Sequence, residues 1–382
     1  MQIHGRVDPR FEGVRAAFAA NFASHGDIGA SFCATVKGEV VVDIWGGVAD
    51  KDTGAPWERD TIVNVYSTTK TMCALSALLL ADRGELDFER PVADYWPEFA
   101  ANGKARVTTA QLMAHSSGLS GWHEKIDKAV LYDWDKATGL LAAQAPFWEP
   151  GTAPGYHGLT QGYLVGEVIR RITGVSPGTF FRTELAAPLG ADFHIGLAAS
   201  EDGRVATLVP PPAGQGIADI SDGPQKTRNL TANMASNPAM SPLETRTRAW
   251  RAAEIPAANG HGNARSVALV QTLVANGGVS NGKQLISAAG VRRALESQIK
   301  GDDKVLALPV HFGLGYGLAG GQLPLPNDES CFWGGYGGSL VINDLKAQTS
   351  FAYAMNMMAG TTTGDMRAFN LAIAMWQALA AG

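Results

Sequence analysis

Strand-like sequence lies at both ends of this chain and is sparse between them, so its main sheet has to be assembled from two distant segments. Near the start, A-S-F-C-A-T-V-K-G-E-V-V-V-D-I-W-G-G-V reads as strand, a tight turn at Lys37-Gly38, and strand. Near the end, G-L-G-Y-G-L, C-F-W-G-G, S-L-V-I-N-D and S-F-A-Y-A-M-N read as successive strands. Residues 11 to 22 space Phe11, Val14, Phe18 and Phe22 as one face of a helix, and a last helix is expected over Asp365 to Ala380. T-I-V-N-V-Y suggests a third short strand, followed by an apolar helix from Ser67 to Arg83 that Gly84 would end. Leu86 to Leu197 is mostly helical pattern with long loops. Val205 to Ala258 is Pro-rich and polar, expected as loop with short helices, and helices are expected at Ser266 to Asn276 and Ala288 to Gln298. The predicted class is α+β: an antiparallel sheet flanked by terminal helices, from residues 1–80 and 205–382, with a mostly helical domain at 81–204. The active site would lie between them.

Several function classes drop out early. A net charge of -5 over 382 residues leaves no basic field for nucleic acid. The most apolar run, Met72 to Ala81, is too short to cross a bilayer, so no membrane role is expected. The opening M-Q-I-H-G-R-V-D-P-R lacks a signal-peptide layout, and Cys33, Cys73 and Cys331 are scattered and odd in number. Reduced thiols and a cytoplasmic location are expected. His123-Glu124 begins a zincin-like motif, but Asp127 stands where the second histidine belongs, and no metal site is expected. Gly315 to Gly320 fits G-x-G-x-x-G without the helix that a dinucleotide site requires.

Ser-x-x-Lys occurs three times: Ser67/Lys70, Ser280/Lys283 and Ser297/Lys300. The second spans an Asn-Gly turn, and the third is expected at the polar end of a helix. Only Ser67 follows a strand and opens an apolar helix, where the spacing puts both side chains on one face. The first turn's free N-H groups would favour an oxyanion there, and a desolvated Lys70 would be suited to proton transfer. Taken alone, the pair fits a helix-capping serine and a snorkelling lysine equally well.

Pro150 to Ile169 places Tyr156 in a Gly-Pro loop before a second apolar helix, from which its hydroxyl could enter a cleft. A buried tyrosine with a satisfied hydroxyl fits as well. C-F-W-G-G-Y-G-G-S-L, Cys331 to Leu340, pairs glycines on a strand, as a close backbone approach or a plain bulge would require. Gly174 to Gly178 fits G-x-S-x-G, yet it follows a helix, so Ser176 is expected to cap the next one. Trp122, Tyr132, Trp134, Phe147 and Trp148 crowd the loops before Tyr156, as pocket walls or as core.

Together these segments resemble the class C serine β-lactamases, the penicillin-binding D-peptidases and the family VIII carboxylesterases. S-T-T-K resembles that group's nucleophile motif, Y-H-G its tyrosine motif and W-G-G its third motif, with Q-L-M-A-H-S-S-G-L and N-G-H-G-N-A-R-S in the expected order. The resemblance implies a β-lactamase/transpeptidase-like fold and a cofactor-free reaction. Ser67 would be the nucleophile, and Tyr156, held partly deprotonated by Lys70, the base. The Ser67 and Tyr336 N-H groups would form the oxyanion hole, and Trp333, Gly334, Gly335, His157, Trp122 and Trp148 would meet the substrate. Two departures favour the esterase branch: Gly158 stands where the lactamases carry Asn, and Trp333 where they carry Lys or His. The expected partner is therefore a small uncharged ester. A β-lactamase, D-amino acid peptidase or oligoamide hydrolase, and a penicillin-sensor-like protein that acylates and stops, are the alternatives on this fold.

Overall fold

In the computed structural model, residues 2–215 and 225–381 are described, with side chains of 225–229 left aside. The main sheet contains β1 (Ile3–Val7), β2 (Gly29–Val36), β3 (Glu39–Gly47), β4 (Ile299–Asp302), β5 (Pro309–Phe312), β6 (Gly317–Leu318), β7 (Ser330–Gly334), β8 (Leu340–Asp344) and β9 (Thr349–Met355). Their order is β1-β3-β2-β9-β8-β7-β6-β5-β4, and each pairing is antiparallel. The seam is β2 against β9, where Phe32 faces Tyr353 and Ala34 faces Phe351. Thus the N-terminal hairpin and the C-terminal strands do close into one sheet. Lys37 and Gly38 both take positive φ, as a two-residue hairpin turn demands.

Helix α1 (Glu12–Ser24) packs with the terminal helix on one side of the sheet. On the other side lies Ala264–Ala275, which contacts β2, β8 and β9. Every residue of β9 is buried, which explains its unbroken apolar reading. Between the two sheet segments come α2 (Lys70–Asp82), α3 (Thr160–Thr173) and α4 (Gln225–Ser236); Ala264–Ala275 is α5 and Met366–Ala380 is α6.

Three expectations need correcting. T-I-V-N-V-Y contributes only Val63–Asn64, which pairs with His261–Gly262 in a separate three-stranded sheet. The helix expected to reach Gln298 stops at Leu295, and Ser297/Lys300 leads into β4 instead of ending a helix. There Ser297 Oγ bonds His311 Nε2 at 2.8 Å. Strands β1, β4 and β5 escape the sequence reading because β1 and β4 are the sheet's two edges and β5 lies next to one, where partial exposure dilutes the apolar alternation. Ser280 and Lys283 face each other across a small hairpin.

One buried ion cluster ties the sheet's ends to α6. Asp27 accepts hydrogen bonds from Tyr353 Oη at 2.6 and 2.7 Å and from Arg367 Nη1 at 2.9 Å. Arg367 also donates to Asp365 and to the carbonyl oxygens of Met357 and Gly337. Removing one member leaves a desolvated charge, so Asp27→Ala should cost about 3–5 kcal/mol in urea unfolding. Asp27→Asn, which keeps an acceptor for Tyr353, should cost less; equal midpoints for both variants and the parent would refute the role given to the cluster.

Candidate active site

Ser67 lies in a 3-10 turn, Tyr66–Thr69, that precedes α2, rather than in the α-helix itself. Tyr66 has φ +44, a left-handed conformation unfavourable for a bulky side chain, and it swings the chain sharply into the turn. The turn is clamped from the β7–β8 connection. Ser339 Oγ donates to Val65 O at 2.8 Å and bonds Thr68 Oγ1 at 2.9 Å. A Cβ on Gly335 would stand 2.2 Å from Val65 O, so W-G-G needs its second glycine for this approach.

Lys70 follows at the start of α2 and is 1% exposed. Its Nζ donates to Gly158 O at 2.7 Å and Ala257 O at 3.0 Å, and lies 3.1 Å from Ser67 Oγ. Carbonyl oxygens only accept, so those two contacts use two N-H bonds, and the remaining position on the nitrogen faces Ser67. Burial without a carboxylate partner pushes the Lys70 pKa well below the ordinary lysine range. In the neutral amine, the position facing Ser67 is a lone pair.

Tyr156 completes the group, its hydroxyl 2.6 Å from Ser67 Oγ. The expected phenolate is not what its surroundings favour. Burial raises the Tyr156 pKa, the Ser67 hydrogen bond opposes this, and the charge of Asp303 adds to the rise. The cation that was to hold the phenolate is itself driven toward neutrality by the same desolvation. Burial therefore favours the neutral phenol, whose hydroxyl donates a hydrogen bond to Ser67 Oγ.

Asp303, unremarked in the sequence, supports that loop from below. Its Oδ1 accepts the Tyr156 N-H at 3.0 Å and the Val305 and Leu306 N-H groups at 2.8 Å each. Oδ2 is buried without a hydrogen-bond partner among the described residues.

Above Ser67 opens a cavity of about 240 Å³. Tyr66, Tyr156, Tyr336, Trp250, Met234 and Met240 supply much of its wall. Tyr336 lies on the turn after β7, whose backbone is held by Gly335 N-H to Ser339 O and Gly337 N-H to Thr361 O. Both residues expected to supply the oxyanion hole, Ser67 and Tyr336, thus border one cavity. Trp333 and Gly334 border a separate space beside Tyr156, and Gly335 packs against the Ser67 turn.

The other expected pocket residues lie elsewhere. Trp122 is fully buried and donates its indole N-H to Ala137 O. Trp148 is half-buried, lies over Gly155 and donates to Ala153 O. His157 is a strut: Nδ1-H donates to Gly155 O, while Nε2 accepts from Ser117 Oγ and the Leu119 N-H. Burial pushes its pKa down to about 3. Ser176 caps the short helix Pro177–Phe181, as its context predicted. The cavity-lining Met234 and Met240 fall in or after α4, inside the stretch expected as loop with short helices.

Among the described residues, no group of three or more His, Cys, Asp or Glu side chains could hold a metal. Likewise no helix among them is long and apolar enough to cross a membrane. The three cysteines are free and buried.

The family profile described as Beta-lactamase matches residues 14–375, and the chain belongs to that family. It is 34% identical to the protein named Esterase/beta-lactamase LipL of Mycobacterium tuberculosis, over 94% of this chain and 83% of that one. Among solved structures, a family VIII carboxylesterase superposes with a TM-score of 0.93 at 42% identity, covering 99% of this chain and all of the other. A penicillin-binding protein homologue from Caulobacter crescentus gives 0.90 at 37% identity, covering 99% of this chain and 100% of that one.

The Gly158 departure now has a physical content. A Cβ there would stand 2.8 Å from Met234 Sδ and 2.9 Å from its Cγ, so the flexible Met234 side chain would have to turn aside for an asparagine. Gly158→Asn should destabilise the protein by up to about 1 kcal/mol as Met234 repacks. Adding Met234→Ala should recover part of the loss in a thermal melt. Full stability in the single variant would show that the space is open after all.

Proposed function

We propose that this serine hydrolase is a carboxylesterase acting on small, uncharged esters through an acyl group on Ser67. The observation that carries the reading is Ser67 Oγ held between Lys70 Nζ and Tyr156 Oη on the floor of a mainly apolar cavity. Beyond Lys70, which touches Ser67 from beneath, the described side chains lining that cavity include no lysine or arginine. Among the described lining residues its one carboxylate, Glu244, is already engaged by Lys128 Nζ and Tyr132 Oη. The esterase names among the similar proteins point the same way.

Neutral Lys70 takes the Ser67 proton as Oγ attacks the ester carbonyl. The resulting oxyanion is stabilised by the Ser67 and Tyr336 N-H groups. When the C-O bond breaks, Tyr156 protonates the departing alkoxide, and once the alcohol has left the Lys70 ammonium returns the proton taken from Ser67 to the Tyr156 phenolate. Water enters by the reverse relay: its proton passes to Tyr156 and Lys70, its oxygen attacks the acyl carbon, and Ser67 Oγ leaves protonated. Atoms and charge then balance as ester plus water to acid plus alcohol. A cytoplasmic location belongs to the same proposal, supported by three unpaired thiols.

Ser67→Ala should lower the kcat for a short-chain nitrophenyl ester by about a thousandfold or more, and Tyr156→Phe by roughly 10²–10⁴-fold. Ser176→Ala should stay within a small factor of the parent. A chromogenic cephalosporin should turn over far more slowly than the ester, and the reverse order would favour lactamase chemistry.

Because activity needs the Lys70 lone pair, kcat/KM should fall on acidification and reach its plateau well below the ordinary lysine range. This is the direction its burial dictates. A profile still climbing where ordinary lysines titrate would remove Lys70 as the base. For charge preference, the methyl diester of a diacid should exceed its half-ester by about tenfold or more in kcat/KM, since a carboxylate would be desolvated without a cation. That ratio corresponds to ~1.4 kcal/mol. A preference for the anion would sink the uncharged-ester reading.

A further inference from the structure

Most polar side chains on the wall of the cavity over Ser67 are already engaged. Glu244 is held by Lys128 and Tyr132, and Thr245 Oγ1 donates to Pro242 O. The Trp250 indole N-H donates to Asn64 Oδ1, Ser241 Oγ accepts the Leu243 N-H, and Tyr336 is partnered as well. Besides the catalytic Ser67 and Tyr156, two hydroxyls remain, Tyr66 Oη and Thr362 Oγ1, with no hydrogen bond to any described residue. Thr362 is half-buried and also borders the space beside Trp333, whose ring is stacked on His115 at 5.3 Å and 16°. Tyr66 is held more firmly: its ring meets the edge of Tyr336 at 5.3 Å and is tilted on Trp250 at 6.4 Å. We propose that the Tyr66 hydroxyl donates to a second, uncharged acceptor oxygen of the substrate, so that the esters carry an ether, ketone or further ester oxygen besides the scissile group. The inference rests on the esterase reading and adds a polar contact to it.

The backbone gives the side chain a reason to be there. Tyr66 has φ +44, which costs a bulky residue strain, whereas a glycine would make the same turn without it. A ring kept at that cost, one residue before the nucleophile and on the wall of the same cavity, is placed to touch whatever Ser67 binds.

The chemistry of the group selects its partner. Burial raises the Tyr66 pKa and the neighbouring Tyr336 phenol adds to the rise, so the hydroxyl keeps its proton and acts as a donor. A donor shut away from solvent without an acceptor loses the hydrogen bonds it makes in water. An all-carbon chain filling the cavity returns none of that loss. A carboxylate would return it, but only by bringing a charge into a mainly apolar space. An uncharged oxygen supplies the acceptor without the charge.

Ethers test this, because they add an acceptor without a donor and nearly preserve chain length. Methyl hexanoate and hexyl acetate are each compared with analogues in which oxygen replaces one chain methylene. The acceptor is then offered from either side of the ester and at several distances. Each substrate is assayed with the parent and with Tyr66→Phe, which keeps the ring and removes the hydroxyl. Dividing the parent kcat/KM by that of the variant cancels the intrinsic reactivity of each ester. For at least one ether the quotient should exceed that of its all-carbon counterpart by about fivefold or more, the scale of one hydrogen bond. Equal quotients throughout both sets would overturn the role of Tyr66 while leaving the esterase reading intact. Hydrolysis of neither all-carbon ester, nor of a nitrophenyl ester, would overturn the esterase reading and this inference with it. Thr362→Val separates the two hydroxyls, since the quotients for this variant should not favour the ethers. Quotients that favour ethers for Thr362→Val and not for Tyr66→Phe would place the contact at Thr362 and reject the proposal. Thermal melting is a readout independent of substrate. Because Tyr66 Oη bonds no described residue, Tyr66→Phe should melt no lower than the parent, and a lower midpoint would show the hydroxyl already engaged within the protein.

Discussion

Desolvation of one amine organises this site. Lys70 Nζ is reached by Gly158 O, Ala257 O and Ser67 Oγ, so one nitrogen joins α2, the loop before α3 and the loop before α5. A buried ammonium is costly unless it is paired, and among the described residues no carboxylate pairs with this one. That cost pushes the Lys70 pKa well below the ordinary lysine range, toward the neutral amine that can accept a proton. The surrounding bonds hold the arrangement in place. Asn259 accepts the Ile255 N-H and donates to Trp250 O and Ala253 O, while Gly260 N-H bonds Thr69 Oγ1. The loop carrying Ala257 is thereby fixed against the turn carrying Ser67.

Much of this was legible in the sequence, for identifiable reasons. Ser67 and Lys70 share a helix face through their spacing, and a strand before them with an apolar helix after them set them apart from two other Ser-x-x-Lys pairs. Tyr156 could be placed because Y-H-G resembles the family's tyrosine motif, whereas its Gly-Pro loop alone fitted a buried tyrosine as well, and the residue is indeed buried. The hairpin and β7 to β9 were visible because their apolar content follows from burial. Orientation was not legible. Trp122 and Trp148 look like pocket walls in one dimension, yet their indole N-H groups find backbone carbonyls, Trp122 at Ala137 in the helix Trp134–Ala143 and Trp148 at Ala153 in its own loop. Asp303 acts through its carboxylate on the backbone N-H of Tyr156, an interaction that leaves no residue pattern around either position.

The two departures from the lactamase pattern have different physical consequences. Gly158 removes a side chain, and α4 takes up the space through Met234. Trp333 adds a large ring that stacks on His115, so an aromatic wall stands where the resemblance puts a polar group. Both changes exchange hydrogen-bonding capacity for apolar contact beside the nucleophile. Substrate would then be held by shape and hydrophobic contact, which discriminate modestly per methylene, instead of by polar groups that strongly reject the wrong partner.

The state of Tyr156 shows how the remaining electrostatics fit together. Ionising it would place a phenolate in a buried site near the carboxylate of Asp303, with only a largely neutral Lys70 to compensate. Burial and the carboxylate charge both oppose this, so the phenol keeps its proton in the resting enzyme. In the proposed reaction, once Lys70 has taken the Ser67 proton, an ammonium stands 5.0 Å from the Tyr156 ring centroid if the resting geometry is kept. The barrier to a phenolate falls at that moment, just when the departing alkoxide needs a proton. Asp303 then has two separate effects: its Oδ1 fixes the backbone that aims the hydroxyl, and its charge keeps the proton in place until Lys70 is charged. On the proposed mechanism, the burial that favours a neutral Lys70 also favours a protonated Tyr156, so Tyr156 gives up its proton only after Lys70 has gained one.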